Sequence, residues 1–240
     1  MSVGGAVEFE QALADALHLL LSGDRALWSI IGLSLSVSLR ALACAAPLAL
    51  VTAFALAYLR FPGQRLLVTL FNTLTAVPAV LVGLVLYLLL SARGPAGDLH
   101  LLFTPTAMVI GQFLLCLPLL VALAHGTLRD GDRRAWEAAL TLGAAPWRAL
   151  LTVAHDLRFG LLAAFIAAFG RIVAEVGCSM MVGGNILYHT RNVTTAIALE
   201  TSKGAFATGI ALGVVLLAVA LALNFALSWL QGNARPAAWA

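Results

Sequence analysis

Three stretches of the chain, residues 66–91, 101–128 and 204–234, contain no Asp, Glu, Lys or Arg. Each is longer than the ~20 residues that a helix needs to cross the hydrocarbon core of a bilayer. Inside lipid every backbone N–H and C=O must find its partner within the protein, which restricts spanning segments to helices and closed barrels. Runs this long and this evenly apolar read as helices. Residues 26–59, interrupted only by Arg40, and 159–182, interrupted only by Arg171 and Glu175, extend the pattern. The expectation is an all-α polytopic membrane protein with about five transmembrane helices. Composition supports it: 62% of the residues are hydrophobic and 10% charged, against roughly a quarter charged in soluble domains.

The rest of the chain divides around these runs. Within residues 1–25, Phe9, Leu13, Ala16, Leu17 and Leu20 recur at helical spacing, which predicts an amphipathic helix lying at the interface. Glu8, Glu10 and Asp15 stand where a signal peptide would carry lysines, so no cleavage is expected. Residues 26–232 form one transmembrane domain, whose longest loop is 129–158, and residues 233–240 form a tail. The stretch 186–203 is too polar to span, yet contains the apolar "VTTAIAL"; it reads as a loop with a short helical or re-entrant piece.

Orientation follows from the arginines. With the N-terminus outside, Arg60, Arg65, Arg129, Arg133, Arg134, Arg148, Arg158 and Arg235 face the cytoplasm, against Arg25, Arg93, Arg191 and Lys203 outside. This distribution favours an external N-terminus and a cytoplasmic C-terminus. A net charge of +3 without a basic soluble domain excludes nucleic-acid binding as the main role. Cys44, Cys116 and Cys178 lie singly in apolar runs, a pattern for small core residues and neither a disulfide framework nor a metal site. Pro78, Gly83, Gly111 and Pro118 fall inside the predicted spans. They predict kinks and close helix approaches, with a hinge or gate near Pro78 as the alternative to local packing.

The loop 129–158 has the punctuation of two short helices. Asp130 or Asp132 suits an N-cap, "RRAWEAALTL" a helix, Gly143 a left-handed stop and Pro146 the first turn of "PWRALLTVA". The first helix is expected to present Trp136 and Leu140 one turn apart, beside Ala138 and Ala139. His155 and Asp156 are adjacent and project about 100° apart on a helix, so they read as a solvated corner and not a catalytic dyad.

"EAALTLG", with Glu137, Ala138, Ala139 and Gly143, resembles the EAA motif of permease subunits of ABC importers. "FGRIVAEVGCSMMVGGNI" resembles the oxyanion branch of that family through Phe169, Arg171, Glu175, Gly177, Gly183, Gly184, Asn185 and Ile186. Ala174 and Cys178 replace the usual Gly and Ala. "VAHDLRFG" stands where members commonly carry a Leu-Pro pair. The segment 194–213 is most similar to tungstate permeases, with molybdate and sulfate permeases next. The resemblance covers residues 25–232.

It implies the type I importer permease fold in a bacterial or archaeal cell membrane, acting as a homodimer. It also implies a separate ATPase that docks on Trp136, Glu137, Ala138, Ala139, Leu140 and Gly143, and an extracytoplasmic oxyanion-binding protein. No cofactor is expected on this chain, since ATP and Mg²⁺ belong to the ATPase, and no "GxxxxGK[ST]" loop occurs.

Two further groups carry open readings. Arg171 and Glu175 are expected one turn apart on one helix face, as a charge pair that either locks helices together or takes part in the pore or its gating. Asn185, Thr194 and Thr195, with Thr190 and Asn192, are expected to line the outer end of the translocation path or to cap helix ends. Competing classes are an intramembrane enzyme and an ATP-independent channel or secondary transporter. The first lacks an HExxH and has its histidines scattered over His18, His100, His125, His155 and His189. The second would show an inverted repeat, and none is apparent.

Overall fold

The computed structural model describes His18 and residues 22–232. The predicted N-terminal amphipathic helix and the tail 233–240 lie outside the described residues. Among residues 22–232 ten α-helices follow one another: α1 (Arg25–Tyr58), α2 (Gln64–Leu74), α3 (Ala79–Leu90), α4 (Pro105–Asp130), α5 (Arg133–Thr141), α6 (Pro146–Asp156), α7 (Arg158–Val173), α8 (Gly177–Gly183), α9 (Val193–Ser202) and α10 (Phe206–Gly232). Helices α1, α4 and α10 are long and apolar enough to cross a membrane by themselves. Two bent pairs, α2–α3 and α6–α7, pass the same test of length and composition together, which gives up to five crossings if each pair is one span.

The core is organised on α1 against α4, the most extensive helix pair in the fold. Asp24 caps α1 by accepting from the Leu27 N–H at 2.7 Å. Along its length Ala41, Ala45, Ala49 and Ala53 recur every four residues and are fully buried. A stripe of small residues lets two backbones approach, which matters in lipid, where burying apolar side chains against each other gains little over burying them in acyl chains. Into that stripe α4 inserts Cys116, Leu120 and Val121, and α7 adds Ala164, Ala168 and Ile172.

The run 66–91 is not one straight crossing. Helices α2 and α3 meet at 93°, with Pro78 as the residue before α3 in an extended conformation. Proline disfavours the helical conformation in its predecessor, so the chain breaks at residues 75–78. Glycines supply the close approaches that the sequence predicts. A Cβ on Gly83 would lie 2.8 Å from the Cys178 Cα, and one on Gly111 would run into the Cys178 Sγ. Both positions seat α8.

The run 159–182 is broken as well. Helix α7 stops at Val173, and its 16 residues rise about 24 Å, short of a ~30 Å core. Ala174, Glu175 and Val176 separate it from α8. The "VTTAIAL" stretch is helical: it forms α9, packed on α10 and α1.

Candidate functional site

Two polar interruptions of the apolar chain hold the functional candidates: the elbow α5–α6, and a hub formed by the residues around α8 and α9.

The elbow forms because its caps are local. Asp132 accepts from the Arg134 N–H at 2.9 Å and starts α5. At the other end Gly143 takes a left-handed conformation with φ +81°. There the Gly143 N–H donates to Leu140 O and the Ala144 N–H to Ala139 O, both at 3.0 Å. These paired bonds satisfy carbonyls that the last helical turn leaves open. Pro146 opens α6 from its first turn. Helix α6 then meets α7 at 77°, so the turn out of the elbow occurs at Leu157 without the family's Leu-Pro pair. His155 and Asp156 are exposed there.

Glu137, Ala138, Leu140 and Gly143 lie on the open surface of this elbow, with Ala139 half-buried. Leu142 is 87% exposed, Trp147 58% and Leu151 59%. These three extend the apolar surface beyond the residues singled out from the sequence, and Leu142 and Trp147 flank the glycine turn.

Trp136 corrects the expectation. It is not presented with Leu140 but is only 9% exposed, packed edge-on to Phe54 at 4.9 Å and against Tyr58 at 5.1 Å. Beside it Arg133 donates to Ala57 O at 2.6 Å and lies over the Tyr58 ring. The indole is the anchor that fixes the elbow to the end of α1. Its partners lie nearly eighty residues earlier in the chain, so local periodicity could not reveal them.

The hub is built around Glu175, which is 2% exposed. Its Oε1 accepts from the Cys178 N–H at 2.7 Å. Its Oε2 accepts from the Ser179 N–H at 3.2 Å and the Ser179 hydroxyl at 3.1 Å. The carboxylate therefore sits on the first-turn N–H groups of α8, where the helix dipole also favours negative charge. Thr194 ties the neighbouring backbone down by donating to Glu175 O at 2.7 Å.

The expected charge pair is therefore corrected. Among the described residues the ion pair present is Lys203–Glu200, and Arg171 forms none with Glu175. The one-turn spacing of the two residues presumes a continuous helix, and α7 ends between them. The Arg171 side chain is exposed, has neither hydrogen bond nor ion pair among the described residues, and lines a cavity of about 260 Å³ with Thr75, Leu115, Leu119 and Glu175.

Of the two readings for Asn185, Thr194 and Thr195, the geometry is that of caps. Asn192 Oδ1 accepts from the Thr195 N–H at 2.8 Å and from the Thr194 hydroxyl at 3.0 Å. The Asn192 N–H donates to Thr195 Oγ1 at 3.1 Å, which completes a capping box at the start of α9. Asn185 donates its amide to Thr195 O at 3.3 Å. Thr190 takes the Ile186 N–H at 3.0 Å and donates to Gly183 O. Thr194 and Thr195 are buried. Ser34 on α1, which the sequence does not single out, accepts from the Val193 N–H at 2.7 Å and joins the hub to the core.

A family model described as the binding-protein-dependent transport system inner membrane component matches residues 45–238. The tungstate uptake system permease protein TupB of Campylobacter jejuni is 45% identical over 168 residues, 70% of either chain. Its namesake in Peptoclostridium acidaminophilum is 38% identical over 90% of this chain and 95% of its own. A probable anion ABC transporter permease protein of Haloferax volcanii is 40% identical over 82% and 87%. Molybdenum and sulfate transport system permeases match at 27–31% identity. The elbow carrying Glu137 and Gly143 and the Glu175 hub both fall within the matched span, and the chain belongs to the inner membrane component family of binding-protein-dependent transport systems, as the permease of an ABC transporter.

Proposed function

We propose that the chain is the membrane subunit of a tungstate importer. It works as a homodimer with an ATPase docked on each elbow and an extracytoplasmic binding protein delivering the oxyanion, with the N-terminus outside and the C-terminus in the cytosol. ATP and Mg²⁺ act on the ATPase, and this chain contributes no catalytic group. The observation that carries the reading is the elbow surface. Leu140, Leu142, Trp147 and Leu151 are exposed together on a short polar segment, and apolar surface of that kind on a water-facing element marks a docking site for another protein. Glu137 beside them supplies the polar contact at the joint.

The buried side of the same elbow supports a lever action. Trp136, Phe54 and Tyr58 form one aromatic contact, so a displacement of α5 by a closing ATPase pair reaches α1 directly, and α1 carries it to α4.

Arg171 supports the choice of an anion as cargo. A guanidinium inside an apolar segment costs about 2.5–3.5 kcal/mol at mid-membrane, so it requires protein or water around it. Here it stands free on a cavity while the neighbouring carboxylate is occupied by α8. A free guanidinium is a transient partner for a tetrahedral dianion. Asn185, Thr194 and Thr195 serve the path by holding the α8–α9 connection in shape.

The experiment is uptake by proteoliposomes containing the permease, its ATPase and its binding protein. ATP-dependent accumulation of tungstate, lost in Glu137→Lys with assembly intact, is the expected outcome. Faster accumulation of molybdate or sulfate than of tungstate would reassign the cargo. Movement of anion without ATP would remove the importer reading in favour of a channel or secondary transporter.

A further inference from the structure

A second polar cavity, of about 530 Å³, opens where the end of α1, the start of α2, the last turns of α4 and the start of α5 converge. Arg65, Arg129, Arg133 and His125 line it, together with Gln64 and Thr69. No acidic residue lines it. Asp130, next to Arg129, is outside the lining, and Asp132 is held on the Arg134 N–H. Its volume is in the range of ligand pockets, ~300–1,000 Å³.

The floor of this cavity is fixed before any ligand arrives. Gln64 Nε2 donates to Leu56 O and Arg133 Nη2 to Ala57 O, both at 2.6 Å, so the carbonyls at the end of α1 are already satisfied. That leaves donors facing the space. The Arg65 and Arg129 side chains have no hydrogen-bond or ion-pair partner among the described residues. Like charges gathered around one space repel each other, and an anion relieves that repulsion while engaging several N–H groups at once.

Helix α2 indicates where the anion comes from. It has no buried residue. Gln64, Arg65, Thr69 and Asn72 fall on one side, and Leu66, Leu67, Leu70 and Leu74, all exposed, fall on the other. It also turns by 93° from α3. A short helix with Arg65 and its polar residues on one side and exposed leucines on the other can hold that polar edge near headgroups with its apolar face toward acyl chains. Basic pockets between spanning helices are complementary to phosphate-bearing lipids.

The geometry points to a binding site for the phosphate of an anionic lipid in the cavity formed by Arg65, Arg129 and Arg133, with acyl chains along the exposed leucines of α2. Because Arg133 opens the elbow helix, an occupied site joins α2 and α4 to the base of α5, and the lipid would brace the elbow against the bundle. The inference rests on the membrane fold alone and is independent of which anion is carried.

The test uses the full chain purified in a neutral detergent, its melting followed with and without added phosphatidylglycerol. Phosphatidylglycerol is expected to raise the melting temperature by several degrees, while phosphatidylcholine and inorganic phosphate or tungstate leave it unchanged. In Arg65→Gln/Arg129→Gln, which breaks no side-chain hydrogen bond among the described residues, affinity for phosphatidylglycerol falls about thirtyfold, from roughly 1 kcal/mol for each of two cations. An equal lipid shift in that variant would overturn the site. A shift produced by inorganic phosphate or tungstate as well as by lipid would overturn the lipid as its occupant. Arg65→Gln alone serves as the second variant should the double one melt early, with a smaller loss of affinity expected.

Discussion

The elbow and the hub are punctuated alike and used oppositely. Both are short polar segments between apolar helices, and both satisfy their helix ends locally, through Asp132 and Gly143 in one and Asn192 and Glu175 in the other. The elbow then leaves Leu142 and Trp147 in the open, whereas the hub turns its threonines and its carboxylate inward. Capping thus indicates where a helix begins and ends but not whether its surface has a partner. What distinguishes the two is apolar area left uncovered after every polar group has been accounted for.

The largest effect should come from the point where the elbow ceases to be autonomous. Trp136→Ala removes a buried indole from Phe54 and Tyr58, and truncations of buried aromatics cost about 3–5 kcal/mol. The expected outcome is early melting in detergent and loss of ATPase-coupled uptake together. Trp136→Phe, which keeps an aromatic face, should recover most of the stability. An unchanged melting temperature in Trp136→Ala would mean that the elbow floats free of α1, and the lever reading would lose its mechanical link.

The next effect belongs to the hub. Glu175→Ala leaves the N–H groups of Cys178 and Ser179 buried without acceptors, for a cost of about 2–4 kcal/mol. Folded yield should fall, while the elbow in the surviving protein still binds ATPase. Glu175→Gln keeps an acceptor oxygen and should restore yield in part. If both variants fold normally and yet block transport, the carboxylate acts on the path and not on the helix end.

A smaller effect is expected at the glycine turn. At φ +81° Gly143 has open space around it, so the penalty in Gly143→Val is that of a left-handed backbone, about 1–2 kcal/mol. The bundle should melt normally, with the ATPase running but uptake uncoupled, because the angle between α5 and α6 alone is altered. Normal coupling in this variant would show that the ATPase grips α5 without regard to the turn.

These expectations also mark how far the sequence could be read. The helix ends of the elbow were legible, since an Asp N-cap, a left-handed Gly and a first-turn Pro all act within four residues of themselves. The bend at Pro78 follows from the same kind of local rule, whereas Gly83 and Gly111 marked close approaches without naming Cys178 as their partner. The Arg171–Glu175 pair misled because "RIVAEVG" contains no breaker before Gly177, and a four-residue spacing implies a shared face only while the helix lasts. Glu175 instead accepts from the α8 N–H groups, which come later in the chain. Trp136 misled for a related reason: its exposure depends on Phe54 and Tyr58, and no period within the loop encodes them. The family resemblance singled out this loop but could not separate the side of α5 left open from the side that packs on α1.

That separation supports the smallest structural effect and the sharpest functional one. Leu142 is 87% exposed, so Leu142→Ser should change stability by no more than about 0.5 kcal/mol. If the elbow surface is where the ATPase sits, the same substitution removes an apolar anchor beside the turn and weakens subunit binding about tenfold, the effect of ~1.4 kcal/mol at an interface. Titrating purified ATPase against wild type and variant in nanodiscs measures this directly, with melting curves as the control. Equal affinities would relocate the docking surface toward Trp147 and Leu151 on α6, which are more exposed than Leu140, the other large apolar group open on the elbow. A lowered affinity at unchanged melting temperature would separate the contact at Leu142, the residue that ends α5, from the anchor at Trp136 inside that nine-residue helix, which is the arrangement a lever requires.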